Sequence, residues 1–413
     1  MYRGKGYAHE AVFALLEFAR QKWECKTVIA KIHKDNNASI HFAESQGFNP
    51  VFQEGNFITY INSYKNKTGG YMGEIIYIRA DANEEIGTGH IMRCLSVAEK
   101  ITELGGKAVF IIADCQSFQM IQEKGYETIC IYSQWNDLNK EILKMVDLCN
   151  NKSIKKLVID SYFVTKDYLE SLGKITKIIY IDDIAKFIYP VDVLINYNFY
   201  ANDMDYENKY KGKLTQLLLG TGYVPLRKEF EYVARREFKG INKLLITSGG
   251  SDKYNMIGNI LGRLIKNNKY KSIDFYCVIG RFNINSSKLK QEYGNYFNVH
   301  LLNNVCNMDF YMRDCDLCIT AGGTTIYELC ACGIPSVLYS VADNQINVSE
   351  KVSSMGLFVW AGDARYDIDI CLDKIENSID MYNESRYWTE ISKRMQGLVD
   401  GRGALRLARE ILT

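Results

Sequence analysis

From residue 73 onward the chain alternates short apolar runs with amphipathic segments of helical length. The runs predict strands at 75–78, 108–112, 128–132, 157–159, 178–181, 193–195 and 216–219, then a second series at 243–247, 273–279, 298–302, 317–320, 337–339 and 357–360. Such near-continuous Val, Ile and Leu runs belong to strands buried on both faces, and their alternation with helices specifies parallel sheets covered by helices. The charged stretch 233–242, with Arg235-Arg236-Glu237, joins the two series. Ahead of both, the polar run from Asn62 to Gly70 breaks the apolar pattern and reads as a linker. The expected division is therefore a segment 1–64, a linker 65–72, a lobe 73–238 and a lobe 239–413, an α/β architecture of two Rossmann-like lobes with a cleft between them.

In open α/β sheets, ligands collect beyond the carboxyl ends of the strands, so the loops there are where chemistry is sought. The strand at 75–78 runs into Arg79-Ala80-Asp81-Ala82 and Gly87-Thr88-Gly89-His90, before a helical pattern through Ile91, Leu95, Ala98 and Ile101. Gly87 and Gly89 let backbone N–H groups approach an anion at a helix start, where the helix dipole favours negative charge. Of five histidines, His90 alone falls at such a loop. It is a candidate general base for water, provided a carboxylate or carbonyl orients its second nitrogen; the plainer alternative is a cap or loop contact.

The second series offers Ser248-Gly249-Gly250-Ser251-Asp252 and Ala321-Gly322-Gly323-Thr324-Thr325, the latter opening a helix that carries Glu328. Amides and hydroxyls there suit a diphosphate and the carboxylate suits ribose hydroxyls, against the alternative of a tight turn with Glu328 in solvent. Asp343-Asn344-Gln345 after the next strand either holds a ligand or builds a turn. Asp182-Asp183 ends a strand facing the expected cleft, where it would orient sugar hydroxyls or His90, or hold a metal. Cys315, Cys318, Cys330 and Cys332 lie in apolar strand and helix patterns and read as buried thiols rather than a zinc site.

Composition narrows the partner. Fifty basic and 49 acidic residues give a net charge of +1, with no electrostatic case for nucleic acid or anionic membrane. No signal-peptide layout and no membrane-length apolar run is present, so a cytoplasmic protein with reduced thiols acting on a small molecule is expected.

These residues together carry a resemblance. Arg79-Ala80-Asp81-Ala82 with 86–93, Ile159-Asp160-Ser161-Tyr162, Ile181-Asp182-Asp183, the run 220–230 and Gly249-Gly250-Ser251-Asp252 resemble the UDP-2,4-diacetamido-2,4,6-trideoxy-β-L-altropyranose hydrolases of pseudaminic acid biosynthesis. That family has a GT-B-like fold similar to the lipid II-forming N-acetylglucosaminyltransferase, whose second-lobe pattern is similar to 322–328, Gly333-Ile334-Pro335 and Asn344-Gln345. The resemblance implies hydrolysis at the anomeric carbon with inversion, with His90 as base and without a metal or other cofactor. Arg227, Glu328 and Asn344 would contact the UDP-sugar, with Gly87, Gly89, Arg93, Gly249, Gly250, Gly322, Gly323, Thr324, Thr325 and Gln345 around it. Asp160, Tyr162 and Asp182 would face the sugar.

Residues 1–64 resemble a different family, the GNAT acetyltransferases. Arg3-Gly4-Lys5-Gly6-Tyr7-Ala8 fits the turn whose N–H groups bind the pyrophosphate of acetyl-CoA, and Asp35-Asn36-Asn37-Ala38-Ser39 with Gly47-Phe48 matches a later part of that fold. The family's strands before that turn have no counterpart here, so a truncated remnant or a late start is expected. Acetyl-CoA would serve only if the segment were completed.

Overall fold

The structure, a computed structural model, describes residues 27–36, 39–40, 43–44, 48–63, 73–234, 236–280, 283–303, 305 and 307–413. The chain forms two units, Met1–Met72 and Gly73–Thr413. In the first, β1 (Thr27–His33), β2 (Asn49–Glu54) and β3 (Phe57–Ser63) make an antiparallel sheet in the order β1-β3-β2. Gly55, at φ 59°, supplies the positive φ of the two-residue turn between β2 and β3. Ala43, Phe48 and Tyr60 form the small core. Arg3, Gly4, Gly6 and Ala8 lie outside the described residues.

The second unit holds both predicted strand series, each as one parallel sheet. In the first lobe β4 (Ile75–Ala80), β5 (Lys107–Ile112), β6 (Glu127–Cys130), β7 (Lys156–Asp160), β8 (Lys177–Ile181), β9 (Val193–Asn196) and β10 (Gln216–Leu219) are ordered β10-β9-β8-β7-β4-β5-β6. The second lobe has β11 (Lys243–Thr247), β12 (Asp274–Ile279), β13 (Val299–Asn303), β14 (Leu317–Ala321), β15 (Ser336–Ser340) and β16 (Val359–Asp363), ordered β13-β12-β11-β14-β15-β16. Strand order reverses beside β4 in one sheet and beside β11 in the other. Each reversal leaves a crevice at the strand ends, and the loops entering the two crevices are those carrying His90 and the Gly-rich segments.

The sequence division at residue 239 needs one correction. The last helix, Gly403–Leu412, returns to the first lobe and lies along helix α1 (Gly89–Glu103). Gln216 Nε2 donates to Glu410 at 2.8 Å and Arg406 donates to the Gly222 carbonyl at 2.8 Å. Only glycine fits this crossing: a Cβ on Gly403 would sit 2.1 Å from the Val224 carbonyl oxygen, and one on Gly401, at φ 75°, 2.1 Å from that of Phe230. Periodicity reports that a helix forms but not which sheet it covers.

Arg79 and Asp81 belong to the scaffold. Arg79 is fully buried and forms a fork with Glu141, Nε to Oε1 at 2.8 Å and Nη2 to Oε2 at 2.9 Å, while Nη1 bonds Asp81. Asp81 in turn accepts from the Ala113 N–H at 2.7 Å, tying the end of β4 to the loop after β5. Burial disfavours the guanidinium, but Asp81 and Glu141 outweigh it and hold Arg79 charged. Glu141 also accepts from Tyr168 at 2.9 Å and Ser133 at 2.5 Å. Removing one partner strands a buried charge, so Glu141→Ala is expected to cost about 3–5 kcal/mol in urea unfolding. A loss below ~1 kcal/mol would show that the fork does not carry the scaffold. Among the described residues no helix is long and apolar enough to cross a membrane.

Candidate functional site

The loop between β4 and α1 is a built turn. Asn83 Oδ1 accepts from the N–H groups of Glu85 at 2.9 Å and Ile86 at 3.0 Å, and Gly87, at φ 71°, closes onto the Asn83 carbonyl at 2.9 Å. His90 follows in the first turn of α1, 5% exposed. Asp160 ends β7, and because β7 pairs with β4 in register Ala80↔Asp160, its carboxylate meets the histidine. His90 Nδ1 lies 2.6 Å from Asp160 Oδ1. A carboxylate only accepts, so in the neutral ring this contact favours the proton on Nδ1 and the lone pair on Nε2, the form a general base requires, while Arg93 Nη2 lies 3.1 Å from the same Nδ1. The edge-on ring of Tyr162, 4.6 Å between centroids, fixes the imidazole plane.

Arg93, one turn along α1, organises what surrounds this pair. Its Nε donates to Asp160 Oδ2 at 2.5 Å and Nη2 to Oδ1, while Nη1 reaches Asp183 at 2.9 Å and the Tyr197 hydroxyl at 2.5 Å. Burial pushes the Asp160 carboxyl up, but Arg93 and His90 together outweigh it and hold Asp160 well below the usual carboxylate range. Burial likewise works against the Arg93 cation and is outweighed by Asp160 and Asp183. Tyr162 donates to Asp183 at 3.2 Å, and burial with that carboxylate raises its phenol.

These groups open onto a cleft of about 450 Å³ lined from both lobes. Thr88, Gly89, His90, Arg93, Tyr162, Tyr197 and Arg227 line it from the first lobe; Thr324, Tyr327 and Glu328 line it from the start of helix α2 (Thr325–Cys332) in the second. Arg227 Nη2 and Glu328 Oε1 pair across the cleft at 3.0 Å. Burial pushes the Glu328 carboxyl up and Arg227 offsets part of that. The lobes also meet where Tyr327 donates to Asn198 Oδ1 at 2.8 Å and stacks on Phe199 at 5.0 Å.

Seven of the sequence-predicted residues thus share one lining, Gly89, His90, Arg93, Tyr162, Arg227, Thr324 and Glu328, and an eighth, Asp160, supports it from behind His90. Asp182 is a correction. It is fully buried and its oxygens accept from the Ile184 and Ala185 N–H groups, each at 3.0 Å, and from the Tyr189 hydroxyl at 3.0 Å, with Tyr206 as a further donor. The neighbouring Asp183 is the carboxylate turned toward Arg93. Gly87, Gly249, Gly250, Gly322, Gly323, Thr325 and Gln345 are outside this lining. Gly249 and Gly250 are exposed, and the next loop approaches their backbone closely, since a Cβ on Gly280 would fall 2.1 and 2.4 Å from their carbonyl oxygens. A Cβ on Gly322 would sit 2.2 Å from Ser349 Oγ, so this glycine admits the following helix, Asp343–Ser354. Gln345 caps that helix's loop by accepting from the Val341 N–H at 2.8 Å. Asn344 lies in the same helix, and its side chain is outside the described set.

Tyr197, Asn198, Phe199 and Tyr327 escaped the sequence reading. The signal for the first three was Asn196-Tyr197-Asn198-Phe199-Tyr200, a run of amides and aromatics at a strand end, which is costly to bury unless it meets partners. Cys315, Cys318, Cys330 and Cys332 are buried free thiols, with burial pushing Cys332 up to about 12. Among the described residues no group of three or more His, Cys, Asp or Glu is arranged to hold a metal.

Comparison with known proteins places this geometry. Residues 244–356 match the glycosyltransferase family 28 C-terminal domain, and residues 1–49 match an acetyltransferase (GNAT) domain. The crystal structure of MurG from Acinetobacter baumannii superposes with a TM-score of 0.61 at 11% identity, covering 82% of this chain and 99% of that one. The two-lobed unit has the GT-B fold. Among curated relatives, the Helicobacter pylori protein named pseudaminic acid cytidylyltransferase and UDP-2,4-diacetamido-2,4,6-trideoxy-β-L-altropyranose hydrolase is 26% identical over 66% of this chain and 45% of its own length. The Campylobacter jejuni protein named UDP-2,4-diacetamido-2,4,6-trideoxy-β-L-altropyranose hydrolase is 27% identical over 46% of this chain and 66% of its own. The chain therefore spans about half to two thirds of the length of these relatives.

Proposed function

We propose that residues 73–413 hydrolyse a UDP-linked 2,4-diacetamido-2,4,6-trideoxy sugar at its anomeric carbon, releasing UDP and the free sugar with inversion. The observation that carries this is His90 in the lining of the cleft, its Nδ1 against Asp160, which leaves Nε2 for a water. Nε2 takes the proton as the water oxygen bonds to the anomeric carbon, and the bond from that carbon to the diphosphate oxygen breaks with its electron pair leaving on UDP. The start of α2 faces the same cleft, so its N–H groups, with Thr324 and Arg227, suit the charge that develops on the diphosphate. We assign the nucleotide to the second-lobe loops (Gly249, Gly250, Gly322 to Thr325, Glu328, Asn344, Gln345) and the sugar to Tyr162, Arg93 and the Asp160 side of the cleft. The names carried by the two relatives support this choice of substrate.

A glycosyltransferase on the same scaffold is the second reading, favoured by the family 28 match over 244–356. One assay separates them. Incubated with the UDP-diacetamido-trideoxy-altrose and no acceptor, the protein is expected to give UDP and the inverted free sugar by NMR. If UDP appears only when an acceptor alcohol is supplied, the transferase reading replaces the hydrolase one.

A further inference from the structure

The base in the first lobe is tied to the second lobe by an unbroken chain of side-chain hydrogen bonds. Tyr327, two residues into α2, donates its hydroxyl to Asn198 Oδ1 at 2.8 Å. Asp183 only accepts, which settles which way the Asn198 amide points: Nδ2 donates to Asp183 Oδ1 at 2.9 Å and Oδ1 is left for the Tyr327 hydroxyl. Asp183 Oδ2 accepts from Arg93 Nη1 at 2.9 Å, Arg93 Nε donates to Asp160 Oδ2 at 2.5 Å, and Asp160 Oδ1 lies 2.6 Å from His90 Nδ1. Every member is buried or nearly so, with Tyr327 3% and Asn198 8% exposed, so water does not readily substitute for a missing link. The Asn198 backbone is itself fixed, its N–H bonded to Asn196 Oδ1 at 3.0 Å.

We infer that Asp183, Asn198 and Tyr327 are positioning residues for the His90 base, so that the second lobe orients the general base of the first. The inference rests on the reading of His90 as that base. Tyr327 contributes through its hydroxyl, because its ring is held separately by the stack on Phe199, with planes 6° apart. Asp183 contributes as the charge that keeps Arg93 in place when Asp160 is shared with His90. Tyr327 sits in the first turn of the helix whose start is assigned to the diphosphate, so the segment that takes the leaving group also sets the histidine that activates water.

The test uses full-length protein labelled with ¹⁵N-histidine, the His90 signals being assigned by their loss in His90→Asn. In the wild type, the His90 Nδ1 proton is expected to be held in the Nδ1–H tautomer and to exchange slowly with solvent. Tyr327→Phe keeps the ring and removes the hydroxyl. It is expected to speed that exchange about tenfold or more and to lower kcat about five- to tenfold, the size of one net hydrogen bond, with KM nearly unchanged and only a modest fall in the urea midpoint. Asp183→Asn, which keeps shape and removes charge, is expected to produce a larger effect in the same direction. Unchanged exchange in both variants overturns the inference, even if UDP release proves the hydrolase reading right. Faster exchange in a protein whose wild type releases no UDP supports the relay and removes the hydrolase reading instead.

Discussion

His90→Asn is expected to lower kcat for UDP release by about 10²–10⁴-fold, the usual contribution of a positioned general base, with affinity for UDP close to wild type. Asparagine still offers an N–H to Asp160 but has no nitrogen able to take a proton from water. The nucleotide is assigned to the opposite lobe, so calorimetric binding of UDP reports an intact second-lobe site while turnover collapses. A variant that keeps the wild-type rate would remove His90 from the chemistry, and one that loses UDP binding would place the nucleotide on the wrong lobe.

Asp160→Asn is expected to combine a kinetic loss of about 10²–10⁴-fold with a loss of stability of several kcal/mol, because one carboxylate serves both His90 and Arg93. An amide that presents its N–H₂ to the histidine favours the opposite tautomer, with the lone pair on Nδ1 and Nε2 protonated, which cannot act as base. Arg93 meanwhile loses its nearer counter-charge in a buried setting and retains Asp183 alone. The pH dependence follows from the direction of the Asp160 shift. Its folded-state pKa is depressed, so its contribution to stability is complete above the unfolded value of about 3.9 and is lost as pH falls through the lower folded value. The stability gap between wild type and Asp160→Asn, read by urea unfolding, should therefore be constant from pH 7 to about 5 and shrink below about 4. A gap that stays the same down to pH 2 would mean that the carboxylate is not the source of the difference.

Much of this fold was legible in the chain, for a local reason. A strand buried on both faces needs an almost unbroken apolar run, and each predicted run from 75–78 to 357–360 became one strand of the two sheets, with ends moved by at most three residues. The loop at Gly87 to His90 was legible as a turn because glycines at a strand end before a helix mark one, while the part played by His90, base or cap, stayed open. The roles within Arg79-Ala80-Asp81 were not: a buried arginine fork and a ligand site place the same residue types at a strand end, and only the positions of Glu141 and Ala113 separate them.

The pair Asp182-Asp183 shows the boundary most clearly. Adjacent residues at the end of a strand point to opposite sides, so one carboxylate enters the core and the other the cleft. Which one does so depends on whether Tyr189 and Tyr206 or Arg93 lies on a given side, and those partners come from other parts of the chain. By itself the sequence determined two parallel sheets, the loops at their strand ends and the histidine among them, since these follow from local hydrophobic pattern and turn chemistry. Only the tertiary structure decided that Asp160 stands behind that histidine, that the last helix returns to the first lobe, and that Tyr327 reaches Asn198. Strand order and lobe contact are set by packing between distant segments, and a pattern read along one chain does not contain those distances.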